Sequence, residues 1–174
     1  MQGTHRPYGT FRAYIGITMR WIWIDRFTSF ESGKSATAVK NLSLAEDHFA
    51  DHFPGYPVMP ASLILEGLAQ TGGILVGDAN NYSKNVVLAK ISKAIFHREA
   101  LAGETLTYTT DLQQLSDIGG LVAGTVRSGD EQIAEAEIFF AHVEADQFKE
   151  LTGSADNFVF TGNLKNMVGL AKKV

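Results

Sequence analysis

The 174-residue sequence predicts an α+β fold in which an antiparallel β-sheet curls around one long central helix. A proline-rich turn at residues 54–60 delivers an apolar helical segment that begins near residue 60. Two strand-like segments precede this turn and four follow the helix. The helical segment is apolar on nearly every side, as a helix surrounded by protein must be. We therefore expect it to be the centre of the fold.

The strands are predicted from apolar and polar alternation between turn-forming residues. They cover residues 21–27, 35–42, 86–97, 105–112, 121–127 and 132–143. A short helical or turn segment is expected at residues 44–50. No repeat or linker interrupts the pattern, so one domain is predicted over residues 19–146, with a flexible arm at residues 1–18 and an extension over residues 147–174 that packs on the core.

Glu66 is the only charged residue between Asp51 and Asp78, and it lies on a polar stripe along the predicted helix. The stripe consists of Ser62, Glu66, Gln70, Gly73 and Gly77. It has two interpretations, a narrow solvent-facing seam or a functional face. The central position of the helix favours the second, because a buried carboxylate is costly without a partner and a buried carboxyl group suits general acid–base catalysis.

His52 is the natural partner of Glu66, although a lone histidine is more often structural. It lies 14 residues earlier, and the proline-rich turn can bend it back toward the start of the helix. The first helical N–H groups, at Ala61, Ser62 and Leu63, have no intrahelical acceptor and favour negative charge. Together these groups would supply a base, an anion hole and an acid for proton abstraction beside a carbonyl.

The residues in this region form the pattern His52-Phe53-Pro54-Gly55-x-Pro57-x-Met59-Pro60-x-x-Leu63-x-x-Glu66, followed by Ala69-Gln70. The pattern resembles the active-site segment of the (3R)-hydroxyacyl-acyl-carrier-protein dehydratases of the FabZ type. The similarity extends over about residues 21–144 and includes Phe96-His97-Arg98 and Gly103-Glu104.

The resemblance implies a hot-dog fold and the dehydration of (3R)-3-hydroxyacyl thioesters on acyl carrier protein to trans-2-enoyl thioesters, in fatty-acid or related lipid biosynthesis. His52 would be the base and Glu66 the acid, without a cofactor. The residues of the oxyanion and substrate-binding site would be Ala61, Ser62, Gly55, Met59 and Gln70. In this family the two catalytic residues of one site come from different subunits, so a homodimer or a dimer-based oligomer is expected.

Acyl carrier protein is acidic, so a confined basic cluster is expected to dock it. The best cluster outside the C-terminal tail consists of Lys90, Lys93, His97 and Arg98. A solvated strand face is the alternative interpretation for each of these residues.

Two other functions are compatible with the predicted fold, because a fold does not determine a reaction. One is an acyl thioesterase, in which a carboxylate activates water. The other is a non-catalytic subunit that binds acyl thioesters. It stays open because Asp51 and Ala61 stand where the family usually has glycine.

Composition excludes several classes of function. The absence of cysteine rules out disulfides and thiolate metal sites, and the histidine spacing predicts no metal. A net charge of −4 argues against nucleic-acid binding. No apolar run reaches the roughly 20 residues that cross a bilayer, so no membrane association is expected. The absence of cysteine fits a reducing cytoplasm, and a cytoplasmic location is expected.

Overall fold

The computed structural model describes residues 21–152 and Val168. The elements in chain order are β1 (Arg26–Glu31), β2 (Ser35–Asn41), α1 (Asp47–Asp51), α2 (Ala61–Ala79), β3 (Asn85–Phe96), β4 (Thr105–Ser116), β5 (Gly119–Ser128), β6 (Glu131–Val143) and α3 (Ala145–Thr152). The predicted arm at residues 1–18 lies outside the described residues, and so does most of the predicted extension.

The six strands form one antiparallel sheet in the order β1-β2-β4-β5-β6-β3. Helix α2 packs against β2, β3, β4, β5 and β6. Its residues from Gly67 to Gly77 are buried without interruption. The predicted α+β class, with a sheet curled around one central helix, is confirmed.

Two glycines allow α2 to lie very close to the sheet. A Cβ atom at Gly67 would stand 2.6 Å from Cζ of Tyr108 in β4, and one at Gly124 in β5 would stand 2.8 Å from Cδ1 of Leu68 in α2. Both distances are shorter than a carbon–carbon contact allows, so neither position has room for a larger residue. The close packing fixes the position of α2, and with it Glu66, relative to the sheet.

The first strand begins later than the sequence predicts. The prediction placed it at residues 21–27, whereas β1 covers Arg26–Glu31. The backbone N–H of Trp23 donates to the side chain of Gln70 in α2 (2.8 Å) instead of to a neighbouring strand. Propensity alone predicts an extended chain here but cannot identify its hydrogen-bond partner.

The extension beyond α3 is described at one residue, Val168. This side chain is only 4% exposed and belongs to the main hydrophobic core. Packing of the rest of the predicted extension stays a prediction.

Candidate active site

His52 directly follows α1 and is oriented by the carbonyl of Val58. Its backbone N–H donates to the carbonyl of His48 (3.2 Å), and its ring nitrogen Nδ1 lies 3.1 Å from the carbonyl oxygen of Val58. A carbonyl oxygen only accepts hydrogen bonds, so Nδ1 must carry a hydrogen. In the neutral imidazole Nε2 then has no proton, and it is the nitrogen that can act as a base.

His48 lies one helical turn before His52 and packs against the rings of Trp23 and Phe49. Burial lowers the pKa of His48, although nearby Glu46 acts in the opposite direction. The neutral form of His48 is therefore the favoured one at pH 7.

A tight turn closes the active loop, which we define as residues 52–58. The N–H of Tyr56 donates to the carbonyl of Phe53 (2.9 Å), with Pro54 and Gly55 at the two central positions. Gly55 has a φ of +83°, as the second central residue of a type II turn requires. The His52–Phe53 peptide bond is cis. The structure thus gives Gly55 a turn-forming role, and its contact with substrate stays a prediction.

The end of the active loop is attached to the connection between β3 and β4. Val58 forms an isolated antiparallel bridge with Leu101, and the N–H of Met59 donates to the carbonyl of Ala100 (2.8 Å). Since the Val58 carbonyl also orients His52, the position of the imidazole depends on this connection.

Glu104 organises the connection between β3 and β4. Its carboxylate accepts hydrogen bonds from the N–H of Leu101 (2.7 Å), the Arg98 guanidinium (2.8 Å) and the Ser128 hydroxyl (3.0 Å). The Arg98 hydrogen bond is the main cause that lowers the pKa of Glu104 below its ordinary value. The ionised carboxylate is therefore the form that stabilises the fold.

Replacing Glu104 by glutamine should lower the free energy of unfolding by about 1–2 kcal/mol at pH 7. The folded-state pKa of Glu104 is depressed, so its contribution is present above the unfolded-state pKa and is lost as the pH falls through the folded-state pKa. The difference between the two proteins should thus shrink below about pH 4.5. Urea unfolding between pH 7 and pH 3 measures it.

The matched control is Glu31→Gln, because Glu31 forms an exposed ion pair with Lys34 (3.0 Å) that should contribute little. A loss in Glu104→Gln that is the same at pH 7 and pH 3 would contradict the stabilising role of the charge.

The backbone N–H groups in the first turn of α2 are of two kinds, those that have an acceptor in the protein and those that are free to bind another group. Those of Leu63 and Ile64 both donate to the carbonyl of Pro60 (2.9 and 3.1 Å). Within residues 21–152, no acceptor takes the N–H of Ala61 or Ser62, and both residues are exposed. The prediction of a free N–H at Leu63 is therefore wrong, because a tight first turn uses it, whereas the two preceding N–H groups can still bind an anionic oxygen.

Gln70 connects Glu66 to the segment before β1. Its Oε1 accepts from the N–H of Trp23 (2.8 Å), and its Nε2 donates to the carbonyl of Trp21 (2.9 Å) and to Oε1 of Glu66 (3.0 Å). The Trp23 N–H can only donate, which fixes the orientation of the amide. Because Glu66 Oε1 accepts from Gln70, Oε2 is the oxygen that is left to contact a substrate.

One chain places the two predicted catalytic residues in separate cavities. The His52 cavity, of about 590 Å³, is lined by His52, Phe53, Val58, Met59, Ala61, Ile64, Phe96, His97, Arg98 and Glu99. The Glu66 cavity, of about 310 Å³, is lined by Trp21, Glu66, Ala69, Gln70, Val87, Leu88 and Phe140. These two sets of described residues have no member in common. His52, Met59 and Ala61 line one cavity and Glu66 and Gln70 line the other, while their roles stay predictions.

The predicted basic cluster is divided in the structure. His97 and Arg98 line the His52 cavity, whereas Lys93 lies in a different groove beside Asp111, Glu135 and Glu137. Lys93 pairs with Glu135 (2.8 Å), and Arg98 pairs with Glu104 and Glu131 (2.8 Å each). Lys90 is exposed on β3. Docking of a carrier protein by these four residues stays a prediction.

The sequence interpretation missed three contributors to the site. They are the Val58 carbonyl, which orients His52, the Glu104 carboxylate, and Trp21, which lines the Glu66 cavity. A main-chain carbonyl leaves no signal in a sequence. Trp21 stands in an apolar segment that is typical of a strand, so its pattern did not separate a cavity wall from a core position.

Two absences among the described residues bear on other classes of function. No group of three or more histidine or acidic side chains among them could hold a metal ion. None of the helices they form is long and apolar enough to cross a membrane.

Sequence comparisons identify relatives of the chain. The profile of a family described as the FabA-like domain matches residues 19–137. A protein from Pelotomaculum thermopropionicum named 3-hydroxyacyl-acyl-carrier-protein dehydratase FabZ is 39% identical over 122 residues, which cover 70% of this chain and 87% of the relative. A protein of the same name from Desulforamulus reducens is 36% identical, covering 70% and 86%.

Comparison with solved structures establishes the fold. A hot-dog-like protein from Thermanaerovibrio acidaminovorans has a TM-score of 0.60 at 14% identity, covering 71% of this chain and 91% of the other. A Streptococcus mutans protein bound to acetyl CoA has a TM-score of 0.57 at 14% identity, covering 68% and 88%. The predicted hot-dog fold is confirmed.

Proposed function

The chain belongs to the FabA-like family, and on this premise we propose that it dehydrates 3-hydroxyacyl thioesters carried by acyl carrier protein. The observation that carries the proposal is the geometry of His52. The Val58 carbonyl fixes the hydrogen on Nδ1, which leaves Nε2 as the base, and His52 shares a cavity with Ala61 at the first turn of α2. The reaction belongs to fatty-acid biosynthesis or a related lipid pathway, and a cytoplasmic location stays a prediction.

In the proposed reaction His52 Nε2 takes the proton from Cα of the substrate. The electrons of the broken C–H bond move toward the thioester carbonyl, whose oxygen becomes negatively charged and is stabilised by the free N–H groups of Ala61 and Ser62. Oε2 of Glu66 supplies a proton to the hydroxyl group on Cβ. The C–O bond breaks, the Cα–Cβ double bond forms and water leaves.

The reaction needs both residues at one substrate, so we propose that two chains assemble each site. Strand β3 is an edge of the sheet and exposes four large apolar side chains, each between 37% and 41% exposed: Leu88, Ile91, Ile95 and Phe96. An exposed apolar edge strand is suited to pairing with another strand. A second copy of β3 is the partner that would give a closed two-fold dimer.

The position of the two cavities along β3 supports this assembly. Phe96 lines the His52 cavity and Leu88 lines the Glu66 cavity, and Ser92 is four residues from each. If two β3 strands pair antiparallel about an axis near Ser92, Phe96 of one chain lies opposite the partner's Leu88. The His52 cavity of one subunit then opens onto the Glu66 cavity of the other.

The function is tested with purified protein and 3-hydroxyacyl and trans-2-enoyl thioesters of acyl carrier protein. We expect interconversion of the two, measured by the absorbance of the conjugated enoyl thioester. Release of free thiol instead would identify a thioesterase. No reaction of either kind between pH 6 and 9 would exclude the proposed activity.

Replacing Gln70 by leucine should lower kcat by about 10- to 100-fold and the free energy of unfolding by about 1–3 kcal/mol. Gln70 itself is only 2% exposed, so its loss removes the hydrogen bonds to the backbone of Trp21 and Trp23 and frees Glu66 to rotate. Steady-state kinetics and urea unfolding measure the two effects. Gln113→Leu, at an exposed position on β4, is the control. A stability loss with unchanged kcat would show that Gln70 does not position Glu66.

A further inference from the structure

If the proposed function is correct, the two cavities hold different parts of the substrate. The order of atoms along the substrate decides which part each cavity meets. The thioester carbonyl is attached to Cα, where His52 acts, and the alkyl tail continues from Cβ, where Glu66 acts. The carrier arm must therefore leave past the His52 cavity, and the first carbons of the tail must enter the Glu66 cavity. Apart from Glu66 and Gln70, the side chains that line the Glu66 cavity are apolar, as a hydrocarbon tail requires.

Trp21 is the largest side chain that lines the Glu66 cavity and the one that lies outside α2 and the sheet. Its carbonyl accepts from Gln70 (2.9 Å), which holds the backbone in place beside Glu66. Its indole packs edge-on against that of Trp23, with ring centroids 5.4 Å apart. The residue is still 47% exposed, so its side chain can be shortened without opening the core.

We infer that Trp21 is a specificity-determining residue, whose indole forms a wall of the tail cavity and limits the length of the acyl chain that the site accepts. The inference rests on the proposed function. It follows from the position of a large aromatic group, packed against Trp23, in the wall of the cavity that contains the proton donor Glu66. Other lining residues belong to α2 or the sheet, and changing them would alter the packing of the fold as well as the cavity.

The kinetic test compares 3-hydroxyacyl substrates of 4, 8, 12 and 16 carbons with the unaltered protein, Trp21→Phe and Trp21→Ala. Trp21→Ala should raise the ratio of kcat/KM for the long substrates to that for the shortest by about tenfold, the factor that corresponds to burying two more methylene groups. Trp21→Phe should fall between the two. Ile118→Ala, which removes an exposed apolar side chain in the turn between β4 and β5, should keep the original ratio. An unchanged ratio in Trp21→Ala would overturn the inference.

A binding test separates this inference from the proposed reaction. The chain has two tryptophans, so Trp23→Phe leaves Trp21 as its only fluorescent indole. A non-reactive thioether analogue of the 12-carbon thioester should shift the Trp21 emission to shorter wavelength, because the tail displaces water from the indole. In Trp21→Phe, which keeps only Trp23, the shift should be absent. If the unaltered protein turns over substrate but Trp21 emission does not respond, the tail does not contact Trp21; if emission responds without turnover, the proposed reaction fails and the binding assignment stands.

Discussion

Replacing His52 by alanine should lower kcat by about 100- to 10,000-fold, the range expected when a general base is removed. The variant removes the only nitrogen at this position that can accept the substrate proton. Folding should be nearly unaffected, because the side chain is half-buried and its hydrogen bond is to the Val58 carbonyl, while the backbone bond between Val58 N–H and the His52 carbonyl (2.9 Å) stays. Enoyl absorbance measures the rate, and urea unfolding measures stability.

His142→Ala is the matched control for this experiment. His142 is also half-buried, but it lies in β6 beside Asn80, where α2 ends, far along the chain from the active loop. It should retain the original kcat. Activity above a tenth of the original in His52→Ala would show that another group is the base.

The fold could be predicted from the sequence wherever hydrophobic periodicity alone decides the structure. The helix predicted from about residue 60 is observed as Ala61–Ala79, and the strand predicted over residues 132–143 is observed as Glu131–Val143. The predicted start of β1 was wrong because the backbone groups of Trp21 and Trp23 hydrogen-bond to the side chain of Gln70 in the helix, although residues 21–24 are apolar. Apolar character predicts burial, and it does not reveal which group satisfies the backbone.

The candidate site was only partly predictable, since long-range contacts determine its electrostatics. The residues His52 and Glu66 belong to a local motif, so the sequence alone suggests them, and their catalytic roles stay predictions. Lys93 forms its ion pair with Glu135, which is 42 residues away along the chain. Gln70 hydrogen-bonds to the carbonyl of Trp21, which is 49 residues away. A single sequence contains no signal for such pairs, so the predicted basic cluster could not be distinguished from residues already held in ion pairs.

Mixing two inactive variants should restore activity if the two chains share their sites. In a two-fold dimer of His52→Ala with Glu66→Gln, one site contains both changes and the other contains neither. Random exchange of subunits gives about half mixed dimers, each with one intact site of two, so about a quarter of the original activity should return. Activity is measured after the variants are unfolded together and refolded, with each variant refolded alone as the control.

The separation of the two cavities within one chain is the physical reason to expect this recovery. His52 and Glu66 line different cavities, which lie toward opposite ends of the exposed edge strand β3, so a second β3 can bring one of each together. If both residues instead acted within one chain, every site in the mixture would keep one defect. The refolded mixture would then be as inactive as its parents, and a dimer that forms normally without recovered activity would exclude the shared site.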